Sequence, residues 1–261
     1  MYFVLGLILS AGIGVSLGLI GGGGSIITVP VLVYVLGVDV RESIGMSLAV
    51  VGATSLVGAA LNHRRGTLRL KTGLLFGAAG IIGALLGSPL TRRVSPGVLM
   101  LIFALLMLVV AGVMLIRKQS DEEMANPRRQ NMSSALLAGF VVGGLTGFLG
   151  VGGGFLIVPA LTLFGGLSLK DSIGTSLMVI AINCAAGLAG HLRYGGFNFR
   201  TTLLVTGLAV AGTLVGTHLS HRTSAGNLGK SFAFFVILVA LFLVAKNYGV
   251  LLALFLFATG T

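Results

Sequence analysis

Tryptophan is absent from this chain of 261 residues, cysteine occurs once, and acidic residues number only six. Without tryptophan, anchoring at a lipid–water boundary falls to tyrosine, phenylalanine and the basic loops. The lone Cys184, set inside an apolar run, excludes an internal disulfide and a thiolate metal site. The four histidines, His63, His191, His218 and His221, fall at the ends of apolar runs and show neither HxxxH nor HExxH spacing. They read as solvated interfacial residues, and no metal or other cofactor is expected. Asp39, Glu42, Asp121, Glu122, Glu123 and Asp171 all lie between the apolar runs or in their first turns, so no carboxylate is expected at membrane depth. That argues against a cationic substrate and leaves an anion.

What is there is overwhelmingly apolar: 56% of residues are hydrophobic, 9% are charged, and the mean hydropathy is +1.07. Apolar runs of about 20 residues, enough to cross about 30 Å of hydrocarbon, recur from end to end and predict a multi-pass membrane protein. The N-terminal run lacks a basic leader region and is read as part of the fold, not as a cleaved signal. A formal charge of +11 would point to nucleic acid in a soluble chain. Here the Lys and Arg residues cluster between spans, which is the positive-inside pattern; no nucleic-acid partner is expected.

The chain is organised around Gly18 to Pro30, GLIGGGGSIITVP, and its copy at Gly147 to Pro159, GFLGVGGGFLIVP. Each helical glycine costs about 1 kcal/mol relative to alanine, and a glycine cluster exposes backbone that hydrocarbon cannot hydrogen-bond. The helix is therefore expected to break in both places. A half-helix from about Ser25 to Leu36 follows the first break, then spans near Ser43–Leu61, Thr72–Leu90 and Ser95–Ile116, with a basic loop at Asn62–Lys71. The polar segment 117–131 divides the chain into a first repeat, 1–116, and a second, 132–261, with spans near Ser172–Gly190, Thr201–Leu219 and Leu228–Ala245 and a short apolar piece at Val250–Ala258. Adding 129 to any position from Gly18 to Ser95 gives its partner; 27 of these 78 positions are identical, which argues for a duplicated unit.

Charge does not decide how the halves are oriented. Parallel and inverted schemes both put 11 of the 17 Lys and Arg inside and 6 outside. Some 18 plus 12 apolar residues around each glycine hinge are too many for one crossing and too few for two. The fold expected is all-α and polytopic, with two inverted repeats, each a re-entrant glycine-broken hairpin plus three transmembrane helices.

Polar residues inside the apolar runs are the candidate ligands. Freed amides at Gly21, Gly22, Gly23, Gly24 and Ser25, and at Gly150, Gly152, Gly153 and Gly154, with two helix N-termini converging, suit an anion without any charged side chain. Ser25 is also placed to be the N-cap of its half-helix, and Gly154 replaces it in the second copy. Ser47 and its partner Ser176, with Thr175 beside the latter, either bond back to their own helix or face the site. Asn183, partner of Thr54, needs a second helix or a ligand to satisfy its amide. Arg64 and Arg193 are partners at span ends, ordinary flanks or entrance residues that attract an anion. Gly83/Gly87 and Gly212/Gly216 let helices approach closely. Glu42 and Asp171 stabilise helix starts, with proton coupling as a further role.

The doubled GxxGxGG…VP motif, the (E/D)SIGxS that follows in each half and the RxG closing the next span resemble the TauE/SafE family of sulfite exporters and related anion permeases. The resemblance covers nearly the whole chain. It implies transport of small sulfur-containing anions such as sulfite, sulfonates or thiosulfate across the bacterial cytoplasmic membrane. Gly21, Gly23, Gly24, Gly150, Gly152, Gly153, Ser47 and Ser176 match the motif positions. The expected protein is thus a secondary anion transporter in a lipid bilayer, an exporter working by alternating access and driven by membrane potential or protons. The alternatives are a non-transporting membrane scaffold or a permease for another small anion; no Ser/His/acid, zinc or phosphate-binding constellation supports an enzyme.

Overall fold

The computed structural model describes residues 2–87, 94, 96–116, 132–149, 154–191 and 198–246. Within them the chain forms ten α-helices and no strand. The linker 117–131, the apolar piece 250–258, Gly150, Gly152, Gly153 and Arg193 lie outside the described residues.

The first helix, α1 (Tyr2–Ile20), ends where expected, at Gly21, whose φ of +80° is left-handed backbone that glycine adopts without a Cβ penalty. The next helix, α2 (Gly23–Pro30), restarts after two residues with Gly22 at its N-cap. Ser25 was the expected cap. The glycines reverse the chain so tightly that the helix begins before the first hydroxyl is reached, and Ser25 falls in the first turn. Pro30 ends regular α geometry: it offers no N–H to the preceding turn, and the helix widens directly after it into a π turn over Val31–Val35. This arm doubles back along α1. A Cβ on Gly24 would strike the Ile13 carbonyl, and one on Gly6 the side chain of Leu36, so the two arms form a hairpin whose outer ends are neighbours.

Eight further helices follow: α3 (Val40–Arg64), α4 (Leu70–Gly87), α5 (Pro96–Ile116), α6 (Met132–Leu149), α7 (Gly154–Leu163), α8 (Leu169–His191), α9 (Phe199–Arg222) and α10 (Ala225–Lys246). Helices α3 and α4 run further than expected, leaving only residues 65–69 of the basic loop between them. Stretches long and apolar enough to cross a membrane lie in α3 (Glu42–Arg64), α4 (Leu70–Gly87), α8 (Leu169–Leu188) and α9 (Phe199–Arg222). Their outward faces present Leu74, Ile82, Leu85 and Leu86 of α4 and Leu203, Leu214 and Val215 of α9, side chains that a bilayer solvates and water does not.

Two seams hold the bundle, α1 against α9 and α4 against α6. Both are glycine-lined. A Cβ on Gly14, Gly212 or Gly216 would run into the carbonyls of Ala209, Ala11 and Val15; one on Gly143, Gly83 or Gly87 into those of Gly80, Phe140 and Gly144. Small residues at such contacts let backbones approach within van der Waals distance, which drives helix association where no hydrophobic effect operates. Between the seams α3 crosses α8 antiparallel, with Gly52 facing Cys184, Gly58 facing Leu177 and Gly187 facing Leu48, and α5 packs on α10.

Gly83→Ala or Gly212→Ala should overpack its seam by about 1–3 kcal/mol and lower the melting temperature in detergent. Gly207→Ala on α9, where nothing lies within 4 Å of the new Cβ, should not. Equal melting temperatures for all three would contradict the seam.

Candidate functional site

The starts of the two half-helices, α2 and α7, meet. A Cβ placed on Gly154, the first residue of α7, would lie 2.8 Å from Ser25 Oγ and 3.1 Å from the Gly22 carbonyl oxygen, so the N-termini of α2 and α7 abut and a side chain at their contact would have to push Ser25 and Gly22 aside. Every residue from Ile20 to Ile26 is buried. The first N–H groups of α2 have no acceptor within their own helix, and the partial positive end of the helix dipole points the same way. This region is enclosed by protein, the condition under which irregular backbone survives at membrane depth.

The hydroxyls around the break stitch it together. Ser25 Oγ donates to the Gly22 carbonyl at 2.7 Å. Ser176, on α8 of the other half, lies 2.8 Å from the Gly21 carbonyl and 2.9 Å from that of Ile173, so its single proton is shared between the break and its own helix. In this conformation both serines therefore hold carbonyls, and their lone pairs, not their protons, are free. Two of the amides expected to be free are spent: the Gly21 N–H donates to the Leu17 carbonyl at 2.8 Å, closing the last turn of α1, and the Ser25 N–H leans on the Gly22 carbonyl at 3.4 Å. The donors left to an anion at the first break are the amides of Gly22, Gly23 and Gly24. Ser47, the partner of Ser176, is buried; the residue equivalent to Gly21 on its side is Gly150, outside the described residues.

Thr175 and Arg64 have partners or surroundings away from the break, while Asn183 follows one turn after Ile180, which packs against Gly154. Thr175 is turned toward the loop before α4, where its hydroxyl accepts from the Arg69 N–H at 3.0 Å. Asn183 lies seven residues beyond Ser176 on α8, with its Oδ1 buried and without a partner among the described residues. Its repeat partner Thr54 bonds back to the carbonyls of Val50 and Val51, so that hydroxyl serves its own helix. Arg64 is exposed in the last turn of α3; its neighbour Arg65 is the one that reaches the other half, donating to the Thr217 carbonyl at 3.1 Å. Nearby, Asn62 Oδ1 takes Thr67 Oγ1 at 2.9 Å and stands 3.2 Å from His221 Nε2, which gives that histidine a structural partner.

One residue escaped the sequence reading. Ser16 on α1 has a buried Oγ without a partner among the described residues, 3.1 Å from where a Cβ on Gly23 would stand, and the ring of Phe235 from α10 lies 3.0 Å from that same point. Ser10 and Ser16 are the only serines in α1, and Ser10 is bonded to Gly6. The second-half counterpart of Ser16 is Leu145, so a search for duplicated polar pairs passes over it.

A bundle of apolar helices closed around the abutting N-termini of two half-helices defines a polytopic membrane protein with a polar centre. The family model described as sulfite exporter TauE/SafE matches residues 5–243, and the chain belongs to that family and is a membrane transporter. A protein of Xylella fastidiosa named a probable membrane transporter protein is 32% identical, over 92% of this chain and 94% of its own. The probable membrane transporter protein YdhB of Bacillus subtilis is 29% identical over 80% and 85%, and a counterpart in Methanocaldococcus jannaschii is 23% identical over 69% and 68%.

Ser176→Ala should leave the Gly21 carbonyl without its cross-half donor and cost about 1–3 kcal/mol of stability. Thr54→Val, which removes only a bond within α3, should cost less; the reverse order in detergent melts would remove the stitching role.

Proposed function

We propose that the protein exports small sulfur-containing anions, of the sulfite or sulfonate kind, across the cytoplasmic membrane by alternating access, holding the anion at the junction of the two helix breaks. The observation that carries this reading is the contact of Gly154 with Gly22 and Ser25, which brings two helix N-termini together beside a buried break. A preorganised set of N–H groups in a low-dielectric surround attracts an anion with no lysine or arginine in the core. The described acids Asp39, Glu42 and Asp171 stand before or in the first turns of α3 and α8, away from this centre, so no carboxylate opposes a negative cargo there. The family description names sulfite; the chemistry of the junction fits any small oxyanion of that size.

The alternating-access part of the proposal rests on inverted repeats, and two features support it. Helices α3 and α8 are repeat partners and cross antiparallel, as an in-plane two-fold axis requires. The glycine seams also exchange under the 129-residue offset: Gly83 on Phe140 becomes Gly212 on Ala11, Gly87 on Gly144 becomes Gly216 on Val15, and Gly143 on Gly80 becomes Gly14 on Ala209. Outward movement needs no coupled ion, since each negative charge leaving an interior about 100 mV negative gains about 2.3 kcal/mol.

Proteoliposomes loaded with labelled sulfite and given an inside-negative potential should release it through the parent protein. Ser47→Ala and Ser176→Ala should slow release by about tenfold, the equivalent of about 1.4 kcal/mol. Parent vesicles that release sulfite no faster than protein-free ones would refute the substrate class, and unchanged rates in both variants would remove these serines from the transport path.

A further inference from the structure

Each half carries one acid three residues into the helix that follows its hairpin, Glu42 in α3 and Asp171 in α8. The two are repeat partners. So are Arg69 and Asn198, each the residue directly ahead of the next helix, α4 or α9. The structure joins these four positions crosswise. Arg69 Nε and Nη2 both donate to Asp171 Oδ2 at 3.0 Å, and the Asn198 backbone N–H donates to Glu42 Oε1 at 2.6 Å. Each contact ties the carboxylate of one half to a helix entrance of the other.

The two contacts sit at opposite ends of the bundle. The α3/α8 crossing contacts centre on Ala53 and Ile182, and because the helices run antiparallel, Glu42 and Asp171 lie 11 residues away from that centre in opposite directions. At 1.5 Å per residue the acids are roughly 33 Å apart, close to the thickness of a hydrocarbon core. We infer that they are the two gate latches of the transporter, one for each face, an assignment that rests on the alternating-access reading above. With both made, both faces are shut, in agreement with the burial of the first break.

The latches match in position and differ in chemistry. The Arg69–Asp171 pair is a side-chain ion pair, with Arg69 49% and Asp171 17% exposed, and the same loop is pinned a second time by the Arg69 N–H on Thr175 Oγ1. The Glu42 contact needs no basic side chain. It uses a backbone N–H of a residue whose own side chain caps α9 by accepting from the Thr201 N–H at 3.1 Å. Solvent-facing charge contacts are weak, which suits a contact that must be made and broken in every cycle. Asp171→Asn should therefore free the face at the 65–69 loop, and Glu42→Ala, which removes the acceptor of the Asn198 N–H, the opposite face.

The test reads access to the break from each side without needing a substrate. In a Cys184→Ala background, Ser16→Cys supplies a reporter beside Gly23, labelled by a membrane-impermeant maleimide applied to right-side-out or inside-out vesicles. Asp171→Asn should raise labelling from the 65–69 face by about two- to fivefold, the range of an exposed ion pair, and leave the other face unchanged. Glu42→Ala should do the converse, and the swap Arg69→Asp/Asp171→Arg should return labelling to the parent level. No change in either variant, or a rise on the same face in both, would overturn the latch assignment, and a swap that labels like Asp171→Asn would overturn the ion-pair part of it. Sulfite release by the parent is scored separately, so opposite shifts without sulfite release would keep the latches while refuting the cargo.

Discussion

Backbone amides that hydrocarbon cannot satisfy are the constraint from which this structure follows. A glycine cluster in an apolar run frees several N–H and C=O groups at once, and each costs several kcal/mol if left facing lipid tails. The chain encloses them in protein instead. The first break is covered by α1 itself, by Ile173 and Ser176 of α8, by Gly154 of α7 and by Phe235 of α10, and its carbonyls take up the serine protons nearby. What is left unspent is a group of donors with a helix dipole behind them, which is a binding site for negative charge before any charged residue is invoked.

Most of the covering residues of the first break come from the second half of the chain. The same holds for the seams, where α1 of the first half lies on α9 of the second, and α6 of the second on α4 of the first. A half-chain on its own would expose both its broken hairpin and its glycine stripe. This interdependence explains why glycine recurs at positions that tolerate no Cβ, and why the polar differences between the copies matter. Ser25 against Gly154 and Ser16 against Leu145 place more hydroxyl around the first break than the equivalent positions supply to the second. The junction is built from matched backbones and unmatched side chains.

Helix positions were legible from the sequence because hydrophobic run length is a strong signal in a chain this apolar. The end of α1 at Ile20, the break at Gly21 and the close-approach roles of Gly83, Gly87, Gly212 and Gly216 could all be read from residue types. The cap was misread because Ser25 satisfies the usual preference, whereas a four-glycine turn is tight enough for Gly22 to start the helix. The π turn was missed because Pro30 signals a disturbed ladder without saying which way it relaxes. Thr175 was placed at the site by adjacency, but neighbours on a helix face about 100° apart, and it bonds the Arg69 loop instead. Nothing in local pattern could show that Glu42 and Asp171 reach across to the opposite half, since each also looks like an ordinary first-turn acid. Long-range pairing of nearly uniform apolar helices is decided by packing detail that composition and periodicity do not carry.

The central claim is that the two breaks form one site for an anion, and equilibrium binding to the purified protein tests it most directly. Labelled sulfite should bind the parent saturably, with one site per chain, and binding should be lost in Gly154→Val, whose side chain would occupy the contact with Gly22 and Ser25, while Gly207→Ala binds as the parent does. Absence of saturable binding to the parent, or full binding in a folded Gly154→Val protein, would contradict the account.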